Sequence, residues 1–188
     1  GRTVIHYDQI GCGNSTHLPD APADFWTPAL FVEEFHTVRE ALGIDEYHLL
    51  GQSWGGMLSA EIAVLQPPGL KSVAICNSPA SMELWMAGCA QLVAALPQDI
   101  QDALTRHEEA GTVTDPEYLA ATDEFYRRHL CRVVPMPQDL VDTIEQMEAE
   151  PTVYHTMNGP NEFHVLGTLR GWSIIDRLPQ ITAPTLVI

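Results

Sequence analysis

The sequence predicts an α/β fold, a mostly parallel sheet interrupted by a helical insertion, and three observations predict it. Strand-like and helix-like segments alternate as far as Pro79, a Gly-x-Ser-x-Gly motif lies where a strand runs straight into a helix, and a long helical stretch gives way to strand pattern again at residues 181–188. Strand, helix, strand in succession is what right-handed crossovers between parallel strands produce. The chain accordingly divides into a core over residues 1–79, a helical cap over 80–177 and a return to core strand over 178–188.

Residues 2–8, Arg-Thr-Val-Ile-His-Tyr-Asp, are β-branched and aromatic and are stopped by Gly11-Cys-Gly13, so they read as a buried strand entering a tight loop. The two glycines are no dinucleotide loop, because a third is missing and Ser15-Thr-His-Leu-Pro19 follows in place of a helix. Asp8 is expected to brace the loop by accepting its backbone N–H groups. Thr27-Pro28 opens a helix whose apolar stripe is Leu30, Phe31, Phe35, Val38 and Leu42, and Gly43 closes it. A short strand from Tyr47 follows, then a helix to about Gln66, a Pro67-Pro68-Gly69 break and a strand over residues 70–76. Between Ala80 and Arg177 the pattern is helical and broken by Pro97, Pro116, Pro135, Pro137 and Pro151. Leu119, Tyr126, Leu130 and Val133 are expected to form a core stripe there.

The chemistry concentrates at Gly51-Gln52-Ser53-Trp54-Gly55, the pattern of a nucleophile elbow, in which a serine is held in a strained turn between strand and helix. A chain reversing that sharply brings the residues on either side of the serine so close that Gly51 and Gly55 are both expected to be required for lack of a Cβ. The first N–H groups of the new helix have no intrahelical acceptor, which makes the Trp54 N–H a candidate oxyanion donor beside Ser53.

Composition limits the alternatives. A chain of 188 residues with 45% hydrophobic residues can build a one-domain core. No apolar run approaches the roughly 20 residues that span a bilayer, and no signal peptide is evident, so a soluble protein is expected. Cys12, Cys76, Cys89 and Cys131 are far apart with no C-x-x-C pair, a usage that fits reduced thiols and a cytoplasmic location. The net charge of -16 opposes nucleic-acid binding. Residues 97–150 carry thirteen Asp and Glu against four Arg, read as a solvated acidic surface, with a field that draws in cationic substrates as the alternative. No metal is expected, since no H-E-x-x-H or similar ligand spacing occurs, and no cofactor is implied.

Four segments carry a resemblance: Tyr7-Asp-Gln-Ile-Gly-Cys-Gly-Asn-Ser15, Gly51-Gln-Ser-Trp-Gly-Gly56, Met157-Asn-Gly-Pro-Asn-Glu-Phe163 and Ala183-Pro-Thr-Leu-Val-Ile188. Together they resemble an α/β-hydrolase, and more narrowly the prolyl iminopeptidase family of serine aminopeptidases, with the Asn158–Phe163 string the most specific. The resemblance implies a serine hydrolase releasing an N-terminal residue, preferably proline, from a small peptide or amino-acid amide through a Ser-His-Asp mechanism. It also implies that Glu162 binds the substrate's free α-amino group; the plain alternative is a solvent-facing glutamate after Gly159-Pro160.

In such a family the triad order is Ser, Asp, His, so the Asp and His are expected beyond Ile188. A His-Gly-Gly-Pro segment and a further strand are expected upstream of Gly1, making the chain an internal excerpt, inactive alone. Of the eight histidines, His155 and His164 are the candidates for lining the site. The competing expectations are an amidase, esterase or lactonase on the same scaffold, and a non-catalytic binding protein that keeps the elbow as architecture.

Overall fold

Three parallel strands, β1 (Tyr47–Gln52), β2 (Leu70–Cys76) and β3 (Thr185–Val187), form one sheet in the order β1-β2-β3 in the computed structural model, which describes residues 1–188. The register of β1 on β2 sets Gln52 opposite Cys76, so both strands end at the same level. Helix α1 (Pro28–Ala41) begins where expected, with Thr27 Oγ1 accepting the Leu30 N–H at 3.2 Å and proline at the first helical position. Helix α2 (Trp54–Val64) follows β1 with only Ser53 between them. Eight of its eleven residues are buried, as befits a helix that is apolar on nearly every side.

After β2 the chain leaves the sheet and is helical: α3 (Met82–Ala94), α4 (Gln98–Ala110), α5 (Pro116–His129), α6 (Gln138–Ala149) and α7 (Thr152–Met157), with short 3₁₀ turns before β3. The two ends of this excursion are fastened together. Ser81 and Ser173 form an antiparallel bridge, the Met82 N–H donates to the Trp172 carbonyl and the Ile174 N–H to the Ala80 carbonyl, both at 3.0 Å. One apolar cluster mixes Trp26, Phe31, Met57 and Ile62 with Met82, Met157 and Leu169 and so joins the sheet layer to the helices. A second, with Leu96, Leu104, Tyr118 and Phe125, lies wholly among the helices.

Two expectations are corrected. Residues 2–8 form no strand: they pair with none of β1–β3, and Val4 is 74% exposed. A β-branched sequence favours extended backbone, but a strand exists only through a ladder partner, and none borders this segment. The stripe expected at Leu119, Tyr126, Leu130 and Val133 is also largely displaced, with only Tyr126 of the four packed against the helical core. Leu119, Leu130 and Val133 are exposed, while Tyr118, Ala121, Thr122 and Phe125 turn inward at i, i+3, i+4 and i+7.

A three-way contact ties α2 to the end of the excursion. Glu61 accepts from the two terminal guanidinium nitrogens of Arg177 at 2.6 and 2.7 Å and from the Trp172 indole N–H at 2.8 Å. The Glu61 side chain is 12% exposed, whereas Glu46, paired with Lys71 at 2.6 Å, is 72% exposed. Glu61→Ala is expected to cost about 1–2 kcal/mol, because it removes a bidentate partner of Arg177 and leaves the Trp172 indole donor unpaired, and Glu46→Ala less than about 1 kcal/mol. Urea unfolding at constant m-value checks both; equal midpoints would refute the distinction.

Candidate active site

Ser53 adopts φ 53°, ψ −121°, a conformation unfavourable for any residue with a Cβ. Its backbone is held from several sides. The Ser53 N–H donates to the Cys76 carbonyl at 3.0 Å, and its own carbonyl accepts from the N–H groups of Gly56 and Met57 and from the Ser78 hydroxyl at 2.8 Å. The N–H groups of Trp54 and Gly55, the first of α2, are left without an intrahelical acceptor. The Trp54 indole N–H donates to Gln9 Oε1 at 2.9 Å, tying the elbow to the glycine loop. Gln52 closes β1 and stays out of the cavity described below.

The glycines divide differently from the expectation. A Cβ on Gly51 would lie 1.9 Å from the Gly55 carbonyl oxygen and 2.4 Å from Ser59 Oγ, so Gly51 is obligatory. A Cβ on Gly55 would meet nothing within 4 Å, whereas one on Gly56 would meet Ser78 Cβ at 2.5 Å. The close approach is of the Gly55 backbone to the Gly51 α-carbon, so only one member of that pair needs to be bare.

Asp8 braces the glycine loop as expected, its carboxylate accepting from the Asn14 N–H at 2.8 Å and the Asn14 side-chain amide at 3.2 Å. A Cβ on Gly13 would lie 2.4 Å from the Asp8 carboxyl carbon.

A cavity of about 320 Å³ opens at the carboxyl ends of β1 and β2. Ser53, Trp54 and Met57 line it from the elbow, and Asp8, Gln9 and Cys12 from the loop. Opposite them stand Met82 and Trp85 of α3, Met147 of α6, Tyr154 and Met157 of α7, and Glu162. The elbow serine and Glu162, 109 positions apart in sequence (162 minus 53), thus face one space.

Glu162 is presented by a loop that satisfies its own amides. The Asn158 and Gly159 N–H groups donate to the Tyr154 carbonyl, the Asn158 side chain to the Asn161 carbonyl at 2.8 Å, and Asn161 Oδ1 accepts from the Phe163 and His164 N–H groups. Asn161, 3% exposed, anchors the loop through its amide to the Tyr118 hydroxyl at 2.7 Å. Gly159, at φ 132°, occupies backbone space closed to other residues.

Burial pushes the Glu162 carboxyl above the usual carboxylate range, partly opposed by the bond from the Tyr154 hydroxyl to Oε1 at 2.8 Å. Burial also raises the Tyr126 phenol to about 12. It raises Tyr154 further, with the Glu162 charge adding to the shift. No lysine, arginine or histidine forms an ion pair with Glu162.

The expected cap histidines do not line the cavity. His155 is exposed, since it is offset by about 100° from Tyr154 on the same helix, and His164 turns to Glu108, 3.3 Å away. No histidine hydrogen-bonds Ser53; His17, which follows the glycine loop, bonds the Gly13 carbonyl at 2.8 Å.

One ligand-like cluster, His107, Asp115 and Glu117, was invisible to motif spacing. Its atoms are already engaged: His107 bonds Thr112 at 2.7 Å and Glu117 at 3.1 Å, and Arg106 holds Glu117 at 2.6 Å. It clamps α4 to α5, outside the cavity. The partners of Glu162, namely Trp85, Tyr126 and Tyr154, also escaped the sequence reading, because nothing in their spacing marks them.

Comparison with known proteins agrees with this geometry. A family model described as alpha/beta hydrolase fold matches residues 1–188. A proline iminopeptidase of Lactobacillus delbrueckii subsp. lactis is 38% identical over all of this chain, which spans 63% of that relative's length. The crystal structure of proline iminopeptidase from Mycobacterium smegmatis is 72% identical with a TM-score of 0.88, over 97% of this chain and 61% of that one. The crystal structure of VinJ is 51% identical with a TM-score of 0.95, over 97% and 62%. The chain therefore spans a little over three-fifths of the relatives it matches, and with a family model that takes in every one of its residues it belongs to the alpha/beta hydrolase fold family.

Proposed function

We propose that the protein containing this chain is a serine hydrolase that releases an N-terminal residue, preferably proline, from a short peptide or amino-acid amide. The observation that carries this reading is the Glu162 carboxylate, half-buried and without a protein cation, in the same cavity as Ser53. A carboxylate partly stripped of water calls for a positive partner, and a substrate with a free amino group brings one. A substrate without that amine would leave the carboxylate unpaired, which selects against internal peptide bonds. Relatives named proline iminopeptidase share the full length of this chain, which supports proline as the preferred residue.

In this reading Ser53 Oγ attacks the scissile carbonyl, and its proton passes to a histidine and then to the departing amine. Water next cleaves the acyl-enzyme to free the amino acid. The Trp54 N–H stabilises the oxyanion. The histidine and its aspartate partner are expected after Ile188 in the longer protein. Residues 80–177 act as the cap that excludes water, and four free thiols suit a cytoplasmic setting.

The test is Glu162→Gln in the full-length protein. kcat/KM for L-prolyl-4-nitroanilide is expected to fall roughly 100-fold or more, while fluorophosphonate labelling of Ser53 is retained. Undiminished cleavage of the anilide would exclude the amine-binding role and favour an esterase or amidase that ignores the amine. The same variant should melt higher than the wild type at neutral pH. A carboxyl raised above its unfolded value contributes stability that is present at low pH and lost as pH rises through the folded value, a loss glutamine avoids. The difference should vanish near about pH 4, where both side chains are neutral.

A further inference from the structure

Glu162 has four polar atoms, and three are held by aromatic side chains from three different helices. Its N–H donates to the Tyr126 hydroxyl of α5 at 3.2 Å, its carbonyl accepts from the Trp85 indole N–H of α3 at 2.7 Å, and Oε1 accepts from the Tyr154 hydroxyl of α7 at 2.8 Å. Oε2 has no hydrogen-bond partner, yet it is not sealed away, and Glu162 lines the cavity. Tyr154 also closes the near end of the loop, since its carbonyl accepts from the Asn158 and Gly159 N–H groups.

We infer that Tyr154 is a positioning residue for substrate binding: its hydroxyl fixes Glu162 Oε1 so that Oε2 alone is offered to a substrate ammonium. The inference rests on the amine-binding reading of Glu162 and adds to it a second residue and a stated geometry. A glutamate side chain freed of this bond would sample several rotamers, and the substrate would have to order it on binding. The phenol also favours the ionised carboxylate, the form that attracts a cation. Trp85 and Tyr126 hold only the backbone of Glu162, which places the residue without orienting its carboxylate.

A bond made equally in the ground state and the transition state acts on KM and leaves kcat alone. In the full-length protein, Tyr154→Phe is therefore expected to raise KM for L-prolyl-4-nitroanilide roughly 10-fold, with kcat within about threefold and Ser53 labelling by a fluorophosphonate unchanged. The ring stays in place and one oxygen is lost. A graded replacement guards against a folding defect: 4-aminophenylalanine at position 154 keeps a weaker donor at the same reach and should give an intermediate KM.

An unchanged KM in both variants would overturn the inference, as would a fall in kcat or in labelling at constant KM. Glu162→Gln measured alongside separates the positioning role of Tyr154 from the amine site itself. If it raises KM while Tyr154→Phe does not, the positioning role fails and the amine site stands. If neither variant moves KM, the amine site itself is wrong.

Discussion

Replacement of Ser53 by alanine in the full-length protein is expected to lower turnover of a prolyl arylamide by about 10⁴- to 10⁶-fold, the range typical of losing a triad nucleophile. The structure adds a companion result for stability. Ser53 is held at φ 53° by bonds to Cys76, Gly56, Met57 and Ser78, so the strain of a left-handed backbone with a Cβ is imposed by its surroundings. Glycine has no such strain. Ser53→Gly should be as inactive as Ser53→Ala yet more stable than it by about 1 kcal/mol, measured by chemical denaturation. If the glycine variant proved the less stable, the strain attributed to this turn would be absent.

The second large effect is on folding. Gly51→Ala places a methyl 1.9 Å from the Gly55 carbonyl oxygen, an overlap that only a shift of β1 against α2 can relieve. Both elements are core, and a loss of about 3 kcal/mol or more is expected, at the upper end for overpacked sites. Gly55→Ala tests the same motif in the other direction. Its Cβ would point into open space in the first turn of a helix, where alanine is favoured over glycine by about 1 kcal/mol, so that variant should be neutral or stabilised. Comparable destabilisation of both would restore the symmetrical view of the motif.

That asymmetry marks where sequence reading ends. The elbow, α1, α2 and β2 were legible because their signals are local: the Thr27-Pro28 cap, the Pro67-Pro68-Gly69 break, the change from strand to helix pattern at Ser53. Which glycine bears the close contact depends on which atoms face each other across the turn, and the spacing of the motif is blind to this.

The α5 stripe fails for a similar reason. Leu119, Leu130 and Val133 are as apolar as aliphatic side chains can be, but Phe125 is the residue that meets Phe163, with ring centroids 4.4 Å apart, where the Glu162 loop docks. Residues 2–8 show the limit most plainly, since strand pairing is a property of two segments and only one was being read. The burial of Glu162 follows from three helices converging on it, and no window around position 162 contains Trp85 or Tyr126.

The fastening of Ala80 and Met82 to Ile174 and Trp172 has a consequence for how such a molecule can change over evolutionary time. The helical excursion leaves and rejoins the sheet through one doorway, so its ends stay adjacent whatever lies between them. Lengthening or shortening the intervening chain then alters the closure entropy only logarithmically, by about 0.6 kcal/mol per doubling. Helices could be gained, lost or exchanged there while Ser53 and the sheet beneath it remained undisturbed. The elbow and the helical residues that share its cavity are free to diverge at different rates.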